Sequence, residues 1–347
     1  MSRLTFAASA LALTVLLEAA CERSPTSAAG SCDARFLPLV ERMDSLVAVR
    51  RLPGAAIYLS RGDDVLCDRA VGGYGPDEVV PIASASKWLT AATLLNLVDE
   101  GRVELDAPVS ARLPGFEDDK AAITLRQLLS HTSGIERGDL CVTSRFTTLE
   151  ECAAKIAQAP LDYVPGREFR YAGASFTVAG RLAEVAAGKT WAELFDERIR
   201  RPLEMETTEW PDTRNPTLST AAWSSARDYA KLLRMIADGG SWRGRRILSP
   251  AAIAEMTRDE VGTIPMTRTP RLDSRGYGLG MWRDEVGPGG RALRVSGVGA
   301  SGFLPWIDFE RDLVGVIVIP PRDGDDVVWY RVATEMQAEI RQLVPVR

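Results

Sequence analysis

Strand-forming segments stand at the two ends of this chain and helical segments fill nearly everything between them. That layout narrows the available folds more than any other feature. Ala55 to Ser60 and Val65 to Val71 are short, largely apolar runs joined by the turn residues Arg61-Gly62-Asp63-Asp64, the pattern of a hairpin. After Gly276 the same character returns in Tyr277 to Arg283, Ala292 to Ser296, Gly302 to Phe309 and Leu313 to Ile319. Between these groups lie Ser84 to Glu100, stopped by Gly101; Leu125 to Ser130, opened by a Thr124/Gln127 capping box; Ser175 to Ala187, stopped by Gly188; and Ala226 to Asp238, stopped by Gly239-Gly240.

Two further amphipathic helices flank the strands. Phe36, Leu39, Val40, Met43, Leu46 and Val47 recur at helical spacing before the first strand, and Val327 to Leu343 repeats the pattern after the last. The expected class is α+β: an antiparallel sheet completed by both termini, flanked by N- and C-terminal helices, with an inserted all-helical domain. The expected division is 32–80 with 275–347 for the sheet domain and 81–274 for the helical one.

A chain of 347 residues carrying a net charge of -5 has no basic run of the kind that neutralises phosphates, so nucleic acid is excluded as the main partner. A small-molecule substrate fits better. Arg3, the apolar run Leu4 to Leu17 and Ala19-Ala20-Cys21 read as an export signal over residues 1–21, followed by a polar linker over 22–31. Cys21 after small residues is a candidate lipid-attachment point, although Glu18 sits where such a signal wants an apolar side chain. The expected location is therefore periplasmic or lipid-anchored to the envelope.

Cys32, Cys67, Cys141 and Cys152 remain, an even number in an oxidising compartment. Cys141–Cys152 would close a short loop and Cys32–Cys67 would pin the first helix to a strand, with three pairings open in principle. No Cys-x-x-Cys and no histidine cluster is present, so no metal is expected. No cofactor is expected either.

Ser84-Ala85-Ser86-Lys87 carries the chemistry. Residues three apart share a helix face, so a hydroxyl at the start of a helix and an amine one turn later face a common pocket. The Ser84 N–H at a helix start is also a free donor, aligned with the positive end of the dipole and suited to a developing oxyanion. Activation of the serine needs a desolvated lysine or a second base beside it. Tyr171, in Phe169-Arg170-Tyr171-Ala172-Gly173 just before a helix, is a candidate for that second base.

His131 is the one histidine of the sequence. It lies in the turn-like Ser130-His131-Thr132-Ser133-Gly134, and no Gly-x-Ser-x-Gly elbow exists to partner it, so it reads as structural. Gly297-Val298-Gly299-Ala300-Ser301-Gly302 matches the dinucleotide fingerprint by letter, but a strand follows it where that motif requires a helix. The run reads instead as a hairpin whose backbone passes close to a ligand, making Gly297, Val298 and Gly299 candidate substrate-binding residues.

Together these segments, with Leu128 to Ile135 and Ser224-Ser225-Ala226-Arg227-Asp228, resemble the serine hydrolase family of class C β-lactamases, D-alanyl-D-alanine carboxypeptidases and related esterases, from about Leu52 to Leu343. The resemblance implies Ser84 as acylated nucleophile, Lys87 as its activator, Tyr171 as general base and acid, and the N–H groups of Ser84 and Ala300 as the oxyanion hole.

Two departures stand out. Gly173 replaces an asparagine usual in the family, and Gly297 replaces a lysine or histidine. A β-lactam carboxylate would lose its cationic partner unless Arg291 or Arg294 reached in. The expectation is hydrolysis of small esters, amides or peptides through an acyl-enzyme. Weak β-lactamase or D-alanyl carboxypeptidase activity, and a catalytically reduced envelope binding protein, are the alternatives. The sequence leaves the oligomeric state open.

Overall fold

The computed structural model describes residues 30–136, 141–322 and 326–346. The export-signal reading, including Cys21, and most of the 22–31 linker lie outside the described residues. Among the described residues, six strands form one antiparallel sheet. They are β1 (Gly54–Arg61), β2 (Asp64–Gly72), β9 (Trp282–Val286), β10 (Ala292–Ser296), β11 (Phe303–Asp308) and β12 (Leu313–Val318), in the order β2-β1-β12-β11-β10-β9. The first hairpin pairs with the last strand, Ala56 opposite Val318 and Arg61 opposite Leu313, so the two ends of the chain close one sheet.

Both faces of that sheet are covered. Successive side chains of a strand point to opposite faces. Ala55, Ile57 and Leu59 of β1 meet Phe36, Leu39 and Met43 of α1 (Leu37–Arg50) and its preceding turn, with Trp329, Ala333, Met336 and Ile340 of α9 (Asp326–Leu343) in the same cluster. Ala56 of β1, with Val314, Val316 and Val318 of β12, belongs to the larger cluster on the other face, formed by α2 (Ser86–Asp99) and α7 (Ala226–Ala237) with the helices behind them. Burying a single such aliphatic or aromatic side chain is worth roughly 1.5–3 kcal/mol. The continuous burial of β11 and β12 explains why these runs are apolar, Asp308 at the end of β11 excepted, rather than alternating.

The helical region holds α3 (Leu125–Leu129), α4 (Leu149–Gln158), α5 (Ala174–Ala187), α6 (Trp191–Phe195) and α8 (Pro250–Thr257) besides α2 and α7. The Thr124/Gln127 capping box opens α3 as expected, and Thr148/Glu151 and Thr190/Glu193 open α4 and α6 in the same way. Gly188 at φ 68 stops α5, and Gly101, also at φ 68, follows α2. This region also carries three two-stranded ladders: β3 (Val80–Pro81) with β5 (Trp223–Ser224), β4 (Phe169–Arg170) with β8 (Met266–Arg268), and β6 (Ser241–Trp242) with β7 (Arg245–Arg246).

One expected strand is shorter than its sequence pattern. Tyr277 to Met281 is a turn, and β9 begins only at Trp282. The cause is close packing: a Cβ on Gly278 would lie 2.2 Å from the Met256 carbonyl oxygen, and one on Gly280, at φ 83, would lie 2.8 Å from that of Lys87. Both expected cystine pairs, Cys32–Cys67 and Cys141–Cys152, are closed. Among the described residues, no helix is long and apolar enough to cross a membrane.

Candidate active site

Ser84 lies in a 3-10 turn, Ala83–Ala85, that runs directly into α2, rather than in the first turn of the α-helix itself. Ala83 just before it has φ 44, a left-handed conformation that costs a non-glycine residue energy and that neighbouring contacts must hold. Several contacts do so. Ser86 Oγ donates to the Ala83 carbonyl at 2.6 Å and accepts from the Ala222 N–H at 3.0 Å, while the Ile82 N–H donates to the Ala222 carbonyl at 3.0 Å. Tyr229 Oη donates to the Ala85 carbonyl at 2.8 Å. From the other side, Ser301 Oγ donates to the Pro81 carbonyl.

Lys87 is 1% exposed because α2 is buried almost all round, as expected of a central helix. Its Nζ donates to the Ser219 carbonyl at 3.0 Å and lies 4.6 Å from the ring centroid of Tyr171 and 5.5 Å from that of Phe176. A carbonyl and two aromatic faces therefore accompany the amine in a site largely shut off from water. Ser219 is a residue that the sequence reading missed. Gly173 explains its place: a Cβ there would sit 2.7 Å from Ser219 Oγ, so the space usually given to the family's asparagine is taken by the 217–222 turn. Similarly, a Cβ on Gly297 would meet Trp88 Nε1 at 2.7 Å, and the indole of α2 fills that position.

His131 anchors Tyr171. Its carbonyl accepts from the Arg170 N–H at 3.0 Å and its Nδ1 from the Ala172 N–H at 3.3 Å, bracketing the tyrosine on both sides. With Nδ1 accepting, the ring proton sits on Nε2, which donates to Tyr277 Oη at 3.2 Å. The imidazole lies 4.5 Å from the Tyr171 ring, and Trp282 stacks on the same tyrosine at 5.1 Å. Burial, reinforced by the charge of Lys87, holds His131 well below the usual histidine range. Burial also pushes the Tyr277 hydroxyl well up, with Tyr171 adding to the effect. The histidine is thus a neutral structural partner, in keeping with its sequence reading.

Ser84, Tyr171, Val298 and Ala300 open onto one cavity of about 800 Å³. The rest of the lining is Arg268, Thr269, Pro270, Arg271, Trp282, Trp329 and Tyr330. Gly299 fixes the near edge: its Cα lies so close to the Ile82 carbonyl oxygen that a Cβ would stand 2.2 Å from it. Arg294 turns away toward Gln337 at 3.0 Å, and Arg291 is not part of the wall. Among the described residues, the cations that line the cavity are Arg268, at the end of β8, and Arg271, just beyond it, and neither lies in a recognisable motif. A larger cavity of about 950 Å³ lies elsewhere, around α6 and the 209–216 segment. Its Arg181 and Arg200 are paired with Glu150, Glu184 and Asp196, and Ser84 takes no part in it.

An antiparallel sheet closed by the chain termini, with a serine–lysine turn entering a central helix and a tyrosine facing the same cavity, is the architecture of the serine β-lactamases and penicillin-binding proteins. The chain belongs to the Beta-lactamase family, a family of serine hydrolases, which it matches over residues 39–329. Penicillin-binding protein 4 of Amycolatopsis lactamdurans is 33% identical over 182 residues, 47% of this chain and 46% of that protein. Esterase EstB of Burkholderia gladioli is 30% identical over 189 residues, 47% of this chain and 48% of the esterase.

The matched stretch therefore spans less than half the length of these curated relatives. Among solved structures, a Bacteroides dorei protein grouped with the β-lactamases shares 32% identity at a TM-score of 0.76, covering 87% of this chain and 98% of that one. A family VIII carboxylesterase, 20% identical with a TM-score of 0.68 over 88% of this chain and 99% of its own, shares the fold.

Proposed function

We propose that this protein is an exported serine hydrolase that cleaves small esters or amides through an acyl-enzyme at Ser84. The observation that carries the reading is the convergence of Ser84 and Tyr171 on one cavity, with Lys87 Nζ against the tyrosine ring and held by a backbone carbonyl. In the reaction, Ser84 Oγ attacks the substrate carbonyl carbon and its proton passes to Tyr171 acting as a phenolate, with Lys87 holding the two groups in register. The N–H groups of Ser84 and Ala300 receive the oxyanion. Tyr171 then returns the proton to the departing alcohol or amine. Water, deprotonated by the same tyrosine, releases the acid and regenerates the serine hydroxyl.

Export is supported by the two cystines, which persist in oxidising compartments. The likeness to Penicillin-binding protein 4 favours a second reading, weak β-lactam or D-alanyl-peptide turnover. Gly173 and Gly297 argue against it, since neither offers a side chain to the substrate and both spaces are filled from within the protein.

The test is p-nitrophenyl butyrate hydrolysis, followed through its first turnover, beside Ser84→Ala. A burst equal to the enzyme concentration, absent from the variant, is expected, together with Ser84-dependent labelling by a neutral fluorophosphonate. Equal slow rates and no labelling would sink the reading and return the binding-protein alternative.

A further inference from the structure

We infer that the site selects substrates whose acyl group is uncharged and apolar, and that it rejects acyl groups carrying a carboxylate. The inference rests on the acyl-enzyme reading and names its substrate class. Three observations carry it. Gly297, next to Val298 of the cavity lining, has no side chain with which to meet a carboxylate, and the Trp88 indole already occupies the space beside it. Trp88 is fully buried, so no rearrangement of a surface residue reopens that space.

Secondly, the buried cation of the cavity wall is committed elsewhere. Arg271 gives Nε and Nη2 to the two oxygens of Asp273, at 3.2 and 2.8 Å, and Nη1 to Asp284 and Ser296, both at 2.8 Å. Its Asp284 partner is almost wholly buried, and withdrawing Arg271 would leave that carboxylate without its main counter-charge. Arg268 is paired with Glu136. At Arg271 a substrate carboxylate would have to displace an existing partner, losing its own hydration for a bond that merely replaces one already made. At Arg268, whose side chain is 66% exposed, it would gain only a solvent-screened ion pair. Thirdly, the rest of the wall is Trp282, Trp329, Tyr330, Val298 and Pro270, which offers an acyl chain hydrocarbon and aromatic contact.

The discriminating experiment uses two esters of matched shape: the mono-p-nitrophenyl ester of adipic acid and the p-nitrophenyl ester of 6-methylheptanoic acid, in which an isopropyl group replaces the carboxylate. The neutral ester is expected to have the higher kcat/KM by at least about 30-fold. Asp273→Asn, at a side chain that is 64% exposed, removes the negative charge beside Arg271 and frees one of the two donors it holds there. It is expected to raise kcat/KM for the adipate ester about tenfold while leaving the neutral ester within twofold.

Comparable rates for the two esters in the unaltered protein, with Ser84 still labelled by the phosphonate, would overturn the inference and leave the serine-hydrolase reading standing. A preference for the neutral ester that Asp273→Asn does not reduce would overturn the assignment of that preference to the committed Arg271. Absence of both hydrolysis and labelling would remove the two together.

Discussion

The two sides of the cavity are built differently. On the nucleophile side, Ala83 to Lys87 is held by backbone carbonyls and N–H groups from the 217–222 turn and by the close approach of Gly299 to Ile82. Elsewhere around the cavity the wall is made of side chains, with arginines paired to acids and aromatic rings from β9 and α9. Main-chain contacts have few ways to rearrange, whereas side chains are replaced one at a time. On the proposed reading, the first side carries the reaction and the second selects what enters it.

The largest expected effect falls on the first side. Lys87→Ala removes the amine that links α2, Ser219 and the Tyr171 ring, and acylation measured by single-turnover kinetics should fall roughly a thousandfold with KM little changed. A loss confined to KM would place Lys87 among the binding groups instead.

Gly299→Ala probes the same side through its backbone. The new methyl would stand 2.2 Å from the Ile82 oxygen, so the 299–302 turn must shift and carry the Ala300 N–H with it. A fall in kcat of about a hundredfold is expected, the scale of one lost oxyanion donor. Gly75→Ala, with nothing within 4 Å of the added methyl, is the matched control and should be silent.

How much of this was legible beforehand follows the same division. Apolar periodicity and glycine stops marked α1, α2, α5, α7 and α9, and the paired runs marked β1, β2 and β10 to β12, because each is decided by residues close in sequence. Ser84, Lys87 and Tyr171, the proposed catalytic groups, stood out for the same reason, as short motifs at helix starts. The capping boxes Thr148/Glu151 and Thr190/Glu193 were equally local signals for α4 and α6 and were passed over.

Ser219 and Trp88 were not legible in that way. Their roles arise where distant segments meet, Ser219 reaching Lys87 across 132 positions and Trp88 filling the space beside Gly297. Arg268 and Arg271 carry no motif, and the arginines nearest the glycine run in sequence, Arg291 and Arg294, drew attention that the fold does not support.

His131 links the two sides, since it brackets Tyr171 and bonds Tyr277 next to Trp282. Its folded form resists protonation, whereas the unfolded chain takes up a proton below the ordinary value of 6.5. The unfolded state then binds more protons, so this residue's share of stability is intact above about pH 6.5 and is lost as the pH falls. The expected slope is about 1.4 kcal/mol per pH unit below that point. Urea unfolding at pH 7.5, 6 and 5 should show a flatter decline for His131→Asn, whose side chain also tolerates the left-handed backbone at φ 59. Parallel declines would mean that the buried imidazole is not kept neutral.

The smallest effect belongs to the side-chain wall. Tyr330 is half-buried at the start of α9, and its ring lies 5.8 Å from the Arg271 guanidinium carbon. Tyr330→Ala removes aromatic surface from the cavity without touching the backbone around Ser84. A contact of this kind is worth about 1 kcal/mol, so KM for a long neutral acyl ester should rise about fivefold. The acetate ester, too short to reach the wall, should keep both kcat and KM. If the acetate ester loses kcat as well, the wall and the nucleophile turn are mechanically joined through Trp282 and Tyr171, and the division between the side that reacts and the side that selects does not hold.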